Sequence, residues 1–175
     1  PEDYRKLNAV LRYSQGYANN GFSLAAMAYR AHWNASDQVP QRAVDAGILG
    51  RFDTIDPSDG GAAQRYSLSG TWRRTAADAS SKVNAYIIRN QLHLYSNFTY
   101  FLDDPVNGDQ FSQPDRRVTT ILNAEHRQGP YRVGVQLQND NIRNGLYKTA
   151  ARQRLSTTRE DHIVETSAGA FAEYT

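Results

Sequence analysis

Apolar and polar residues alternate with a period of two along much of this chain. Successive Cβ atoms of a strand point to opposite sides of a sheet, so this period predicts strands with two unlike faces. In the first segment, Lys6 to Ser14, Leu7, Ala9, Leu11 and Tyr13 oppose Lys6, Asn8, Arg12 and Ser14, with Val10 out of pattern. A turn over Gln15 to Gly21 contains Asn19-Asn20-Gly21, residues that tolerate positive φ. The second segment sets Ala25, Met27, Tyr29, Ala31 and Trp33 against Ala26, Ala28, Arg30, His32 and Asn34. A long loop punctuated by Pro and Gly is expected from Ala35 to Gln64.

Arg65 to Thr75 forms the third expected strand, with Tyr66, Leu68, Gly70 and Trp72 on its apolar row. After a short turn, Ala76 to Ser81, the fourth carries Val83, Ala85 and Ile87 opposite Lys82, Asn84 and Tyr86. Beyond Ile88 the phase is lost, because Leu92 and Leu94 fall out of step with Val83. A β-bulge or a strand projecting past a membrane would each produce that. A medium loop, Leu102 to Asp115, precedes a fifth strand with Val118, Thr120, Leu122 and Ala124 on one row. Gln128-Gly129-Pro130 turns the chain into a sixth strand, Tyr131, Val133, Val135 and Leu137 against Arg132, Gly134, Gln136 and Gln138. A second long loop, about Asn139 to Glu160, leads to a seventh segment with Val164, Ala168, Ala170, Ala172 and Tyr174 on one row. The fold class is therefore all-β and antiparallel, with about seven strands.

Links after odd strands are short and links after even strands are long. Outer-membrane β-barrels have that asymmetry, with short periplasmic turns and long extracellular loops. The apolar rows are rich in Ala, Gly and Thr and tipped by Tyr13, Trp33, Trp72, Tyr131 and Tyr174. Lipid fills its own gaps, whereas a packed core wants larger side chains, and Tyr and Trp settle at a membrane interface. The polar rows hold Arg12, Arg30, His32, Arg73, Glu125 and Arg132, which suits a wetted lumen. A transmembrane barrel segment is the preferred reading, ahead of a soluble β-sandwich or lipocalin-like barrel.

Composition narrows this further. The chain is 39% hydrophobic with mean hydropathy −0.69, and no run approaches the ~18 apolar residues of a spanning helix. A barrel wall escapes that test because only alternate residues face lipid. Cysteine is absent, which removes disulfides, thiolate metal sites and cysteine nucleophiles. A net charge of +2 is far from the basic excess of a nucleic-acid binder. His32, His93, His126 and His162 lack metal-ligand spacing, so no metal is expected. Asp103, Asp104, Asn107 and Asp109 read as turn chemistry, without the bidentate Glu of a calcium-binding EF-hand loop. With no nucleophile elbow and no motif-placed carboxylate pair, the chain is not expected to be an enzyme or to carry a cofactor.

Several stretches resemble the barrel of TonB-dependent outer-membrane receptors. They are the segment Ala25 to Pro40, Arg65 to Ser69, Leu94 to Leu102, Gly108 to Phe111, Asp115 to Arg117, Asn144 to Tyr147 and Thr158 to Asp161, in an order consistent with that family. The resemblance implies a Gram-negative outer-membrane location and energy-coupled uptake of a scarce nutrient such as a ferric siderophore. It implies as partners the transported small molecule, outer-membrane lipid and lipopolysaccharide, and the TonB complex through other parts of the receptor. Such transporters close with about 22 strands around a plug. With no signal peptide at Pro1, no plug, no TonB box and no terminal aromatic after Tyr174-Thr175, the chain is expected to be a middle segment. Arg30, His32, Asn34, Asp37, Gln38, Arg116 and Arg117 are the candidate ligand contacts, in the lumen or an adjoining loop. The basic residues Arg143, Lys148, Arg152 and Arg154 could attract an anionic ligand or lipopolysaccharide phosphates. A soluble β-rich binding module and a passive porin are the alternatives.

Overall fold

The structure, a computed structural model, describes residues 3–17 and 19–175. Pro1, Glu2 and Ala18 of the first expected turn lie outside the described residues. Seven antiparallel strands follow one another in a single sheet, β1 (Arg5–Tyr17), β2 (Asn20–Asn34), β3 (Gly60–Ala76), β4 (Ala79–Ser96), β5 (Phe111–Gln128), β6 (Tyr131–Ala150) and β7 (Gln153–Tyr174). Each strand pairs with its sequence neighbours, and the sheet does not close, since β1 and β7 are its two edges. One short helix, α1 (Gln41–Asp45), lies in the link between β2 and β3.

The connections follow the turn chemistry. Gly16, at φ +94, faces Gly21 across the first hairpin, where a β-carbon would collide with the Asn20 carbonyl. Ala77 and Asp78 reverse β3 into β4, and Gly129-Pro130 reverse β5 into β6. The links 35–59 and 97–110 are the extended ones. The expected loop over Asn139 to Glu160 is instead strand, because β6 and β7 continue to a tight turn at Ala151-Arg152. Its residues lack a period because both faces are polar there, yet their backbone groups still pair across the ladder, which a loop would leave to water. The long-loop pattern thus holds for two of the three even-strand links.

Register decides which rows share a face. Leu7, Ala9, Leu11 and Tyr13 of β1 stand opposite Arg30, Ala28, Ala26 and Leu24 of β2. Those β2 residues in turn oppose Gln64, Tyr66, Leu68 and Gly70 of β3. The expected orientation of β2 is therefore inverted: its even row joins the apolar face, and Met27, Tyr29, Ala31 and Trp33 lie on the polar face. Both β2 rows are alanine-rich, so hydropathy alone left the phase open, and a one-residue slip exchanges the faces. β4 pairs with β3 and β5 without a register shift from end to end, so the lost phase beyond Ile88 is no bulge. The chemistry of the two faces changes there while the strand runs on.

Little of the molecule is buried. Among the described residues the buried apolar side chains are Ala31, Ala43 and Tyr100, while Asp59, Asn97, Gln110, Ser112 and Thr149 are buried polar ones. Burial is concentrated at the end of the sheet that carries the long links.

Candidate functional site

Following cross-strand partners across the sheet divides one face into horizontal rows. Toward the tight turns, Arg74, Ser81, His126, Val133 and Ala172 form a mixed row; above it Phe22, Trp72, Val83, Ala124, Val135 and Ala170 form an apolar one, and Tyr13, Leu24, Gly70, Ala85, Leu122, Leu137 and Ala168 the next. Above them lie Leu11, Ala26, Leu68, Ile87 and Thr120, then Ala9, Ala28, Tyr66, Arg89 and Val118, so that one exposed arginine stands within the upper row. Tyr131 and Tyr174, paired at the turn edge with ring centroids 5.3 Å apart, border this band. On β6 and β7 it is notched by Asn139, Asn141 and Thr166, with the Asn139 amide donating to Thr166 Oγ1 at 2.8 Å.

The next row upward is Arg30, Gln64, Gln91, Arg116, Arg143 and His162. Apolar chemistry thus gives way over two rows, the first already holding Arg89 and Asn141, to a cation-rich rim. Arg116 and Arg143 are direct cross-strand partners, both exposed. Arg30 donates to the Tyr66 hydroxyl and lies over its ring, 5.8 Å from the centroid. A cavity of about 590 Å³ opens above the rim between β4 and β7, with His93, Tyr95, Arg116, Arg143, Tyr147 and Arg154 in its wall. Arg152 stacks on Tyr95 at 5.3 Å and Arg154 on Tyr147 at 3.8 Å, and Arg154 pairs with Glu160 at 3.4 Å.

His93 and the buried Ser112 are hydrogen-bonded at 2.8 Å in this cavity. Burial, and after it the positive Arg116 and Arg152, hold the His93 imidazole below its usual pKa. A nucleophile–base pair needs a third group to orient and charge-balance the base. Here the flanking groups are guanidiniums, which disfavour the imidazolium that such chemistry forms.

The opposite face is polar and internally paired. Arg132 bridges Glu125 at 2.8 Å and Glu173 at 3.1 Å, Thr71 donates to Asn84 at 3.0 Å, and Gln138 donates to Asp140 at 2.7 Å. Phe171 covers Gly134 on the neighbouring strand, and Arg132 lies over its ring at 5.3 Å.

At the long-link end the chain ties a polar knot around Gln110. Its amide donates to Ser58 Oγ at 2.7 Å, Asp59 Oδ1 at 3.0 Å and Asp56 Oδ2 at 3.3 Å. Its carbonyl accepts from Thr149 Oγ1 at 3.0 Å and the Arg152 backbone N–H at 2.9 Å. Burial pushes the Asp59 carboxyl up to about 7, and the nearby Asp56 and Asp37 charges add to this against the opposing Gln110 hydrogen bond. Ala151 and Arg152 both carry positive φ, 47 and 65, in the β6–β7 turn. The Arg152 guanidinium holds that turn to the Ser58 carbonyl at 2.6 Å and to Asn34 at 3.3 Å. In the link 97–110, Asp109 and Asp104 spend their carboxylates on backbone N–H groups at 2.7–3.2 Å. Among the described residues no group of three or more His, Asp or Glu is arranged to hold a metal ion.

The seven residues singled out from sequence divide among these zones. Arg30 and Arg116 share the cationic rim, and His32 lies one row above it on the same face. Arg117 points to the polar face, 3.8 Å from Asp115. Asn34 and Asp37 join the knot, where Asp37 accepts from the Asn97 N–H at 3.3 Å, and the Gln38 carbonyl accepts from the Tyr100 hydroxyl. Arg30 and His32 therefore leave the expected lumen row because β2 is inverted. Arg143 is read from sequence as part of a basic loop and His162 as a histidine without metal-ligand spacing, so neither is placed in a row with Arg30 and Arg116, and nothing local marks Gln110 as the centre of a knot. Comparison with known proteins finds no matching family model, no similar curated protein and no similar solved structure.

Proposed function

We propose that this chain is part of the wall of a transmembrane β-barrel in the outer membrane of a Gram-negative bacterium, within a TonB-dependent receptor. Its function is then energy-coupled uptake of a scarce nutrient such as a ferric siderophore. The observation that carries the membrane half is the apolar band on one face of a single-layer sheet, which runs across all seven strands in its lower rows and is broken in its upper rows by Arg89, Asn139, Asn141 and Thr166. Leu11, Leu68 and Val135 in that band are 75, 52 and 46% exposed, and among the described residues no second sheet covers them. A soluble monomer rarely leaves more than a few hundred Å² of contiguous apolar surface bare. Lipid is the solvent that accepts it, and the run from Val164 to Tyr174 matches the ~9–11 residues of a tilted spanning strand. Open edges in hydrocarbon would leave backbone groups unpaired, so further strands complete the barrel. The receptor half rests on the resemblance of the wall and loop segments to the TonB-dependent family.

Fractionation combined with heat-modifiability on a denaturing gel tests the wall. The expected product is an outer-membrane protein whose mobility shifts on boiling; recovery in the soluble fraction overturns the reading. Uptake that persists after the inner-membrane energy supply is removed would favour a passive porin.

A further inference from the structure

We propose that the turn end of the polar face holds a binding site for the oxyanion group, phosphate or carboxylate, of a small solute. The wall reading above, on which this rests, puts that site in the lumen beside the short periplasmic turns. Charge distribution carries the inference. Strands β1 to β4 contain no Asp or Glu, yet their polar face presents Lys6, Arg12, Arg65, Arg73 and Lys82. The acids of that face stand on β5, β6 and β7. Arg73 and Lys82 are direct cross-strand partners, and like charges so placed repel. Among the described residues neither of them, nor Arg12, has a carboxylate within ion-pair distance. Glu125, which faces Lys82 across the next ladder, is held by Arg132 at 2.8 Å.

Between β1, β2 and β3 this cationic surface is hollowed into a cavity of about 330 Å³, which suits a small solute. Arg12 and Arg73 line it together with Ser14, Ser23 and Thr71. Its floor has a cause in the sequence. Gly16 and Gly21 pair beside Arg73, and a β-carbon on either would meet a backbone oxygen at 2.3 Å, so no side chain fills the space. The Thr71 hydroxyl is spent on Asn84 at 3.0 Å, whereas Ser14 and Ser23, direct partners on β1 and β2, bring two further hydroxyls. Two guanidinium forks and two hydroxyls around one space are a donor set for the oxygens of an anion. A cleft lined by one sign of charge also concentrates counter-ions from solution. A cation would meet repulsion there, and an apolar solute would strip water from the guanidiniums and return nothing. The cavity lies at the opposite end of the strands from Arg30 and His32, and so is separate from the candidate contacts near the long links.

The test uses the full-length protein in phosphatidylcholine nanodiscs at low ionic strength, titrated calorimetrically with inorganic phosphate in one arm and succinate in the other. Binding of at least one is expected, and the tighter of the two names the group. Arg12→Gln with Arg73→Gln is expected to weaken it about tenfold or more, since each guanidinium supplies charged hydrogen bonds. Ser14→Ala with Ser23→Ala is expected to weaken it about threefold or more, which a diffuse cloud of charge would not show. Arg65→Gln, further along the same face of β3, is expected to leave binding unchanged. On the unmodified protein, the bound anion is expected to shield Arg12 and Arg73 from phenylglyoxal, a readout independent of whether the variants fold. Failure of both anions to bind, undiminished binding by either double variant, an equal loss in Arg65→Gln, or unshielded arginines each overturns the proposal. A protein that fails to enter the nanodisc sinks the wall reading and the lumenal placement together, whereas one that inserts but binds neither anion sinks only this site.

Discussion

Replacing Leu122 by Arg and, separately, its neighbour Asn123 by Arg tests the two faces against each other at one depth. Leu122 lies in the second apolar row, flanked by Ala85 and Leu137, with Val83, Ala124 and Val135 in the row on its turn side and Ile87 and Thr120 in the row above. If lipid meets this row, an arginine near the bilayer midplane costs about 2–4 kcal/mol. That reduces the ratio of folded to unfolded protein roughly thirtyfold to a thousandfold. Asn123 lies on the polar face between Asn84 and Gln136, and Gly169 beyond Gln136 has open space where a β-carbon would stand. An arginine there stays wet and costs no more than about 0.5 kcal/mol. Urea unfolding of the protein refolded into phosphatidylcholine vesicles, monitored by tryptophan fluorescence and gel mobility, measures both. Equal costs for the two variants, or a larger cost at Asn123, would refute the face assignment.

Gln110→Ala strips the knot of its central side chain and orphans the Asp59 carboxyl and the Thr149 hydroxyl, at about 1–3 kcal/mol each. Amide hydrogen exchange over residues 148–154 should accelerate about tenfold or more, and unchanged exchange would show that the knot does not depend on Gln110. Because Asp59 titrates at about 7 against an ordinary 3.8, the closed knot keeps its proton where an opened loop has lost it. Closure should therefore weaken as pH rises from about 4 to about 7, and level off on either side; Asp59→Asn should flatten that slope in pH-corrected hydrogen exchange, and an opposite slope would contradict the burial argument. Since the chain has no cysteine, Ala28→Cys and Met27→Cys are clean single probes. A water-soluble maleimide should label the second and spare the first in a bilayer, with the reverse result restoring the opposite orientation of β2.

The period of two determined the strands, their antiparallel succession and the existence of two unlike faces, since alternation is a property of the extended backbone itself. In β3, β5 and β6 one row is plainly apolar, so even the orientation could be read locally. β2 could not, because Ala25, Ala26, Ala28 and Ala31 occupy both rows and only pairing with β1 and β3 fixes its phase. The stretch from Asn139 to Glu160 failed for a related reason: away from the band both faces are wet, hydropathy loses its period, and only the backbone ladder keeps the strand. The candidate site depended on tertiary structure more strongly still. Arg30, Arg116, Arg143 and His162 are scattered along the chain, and register alone sets them in one row above the apolar band. Local sequence supplies the charges; the cross-strand geometry that opposes two guanidiniums belongs to the assembled sheet.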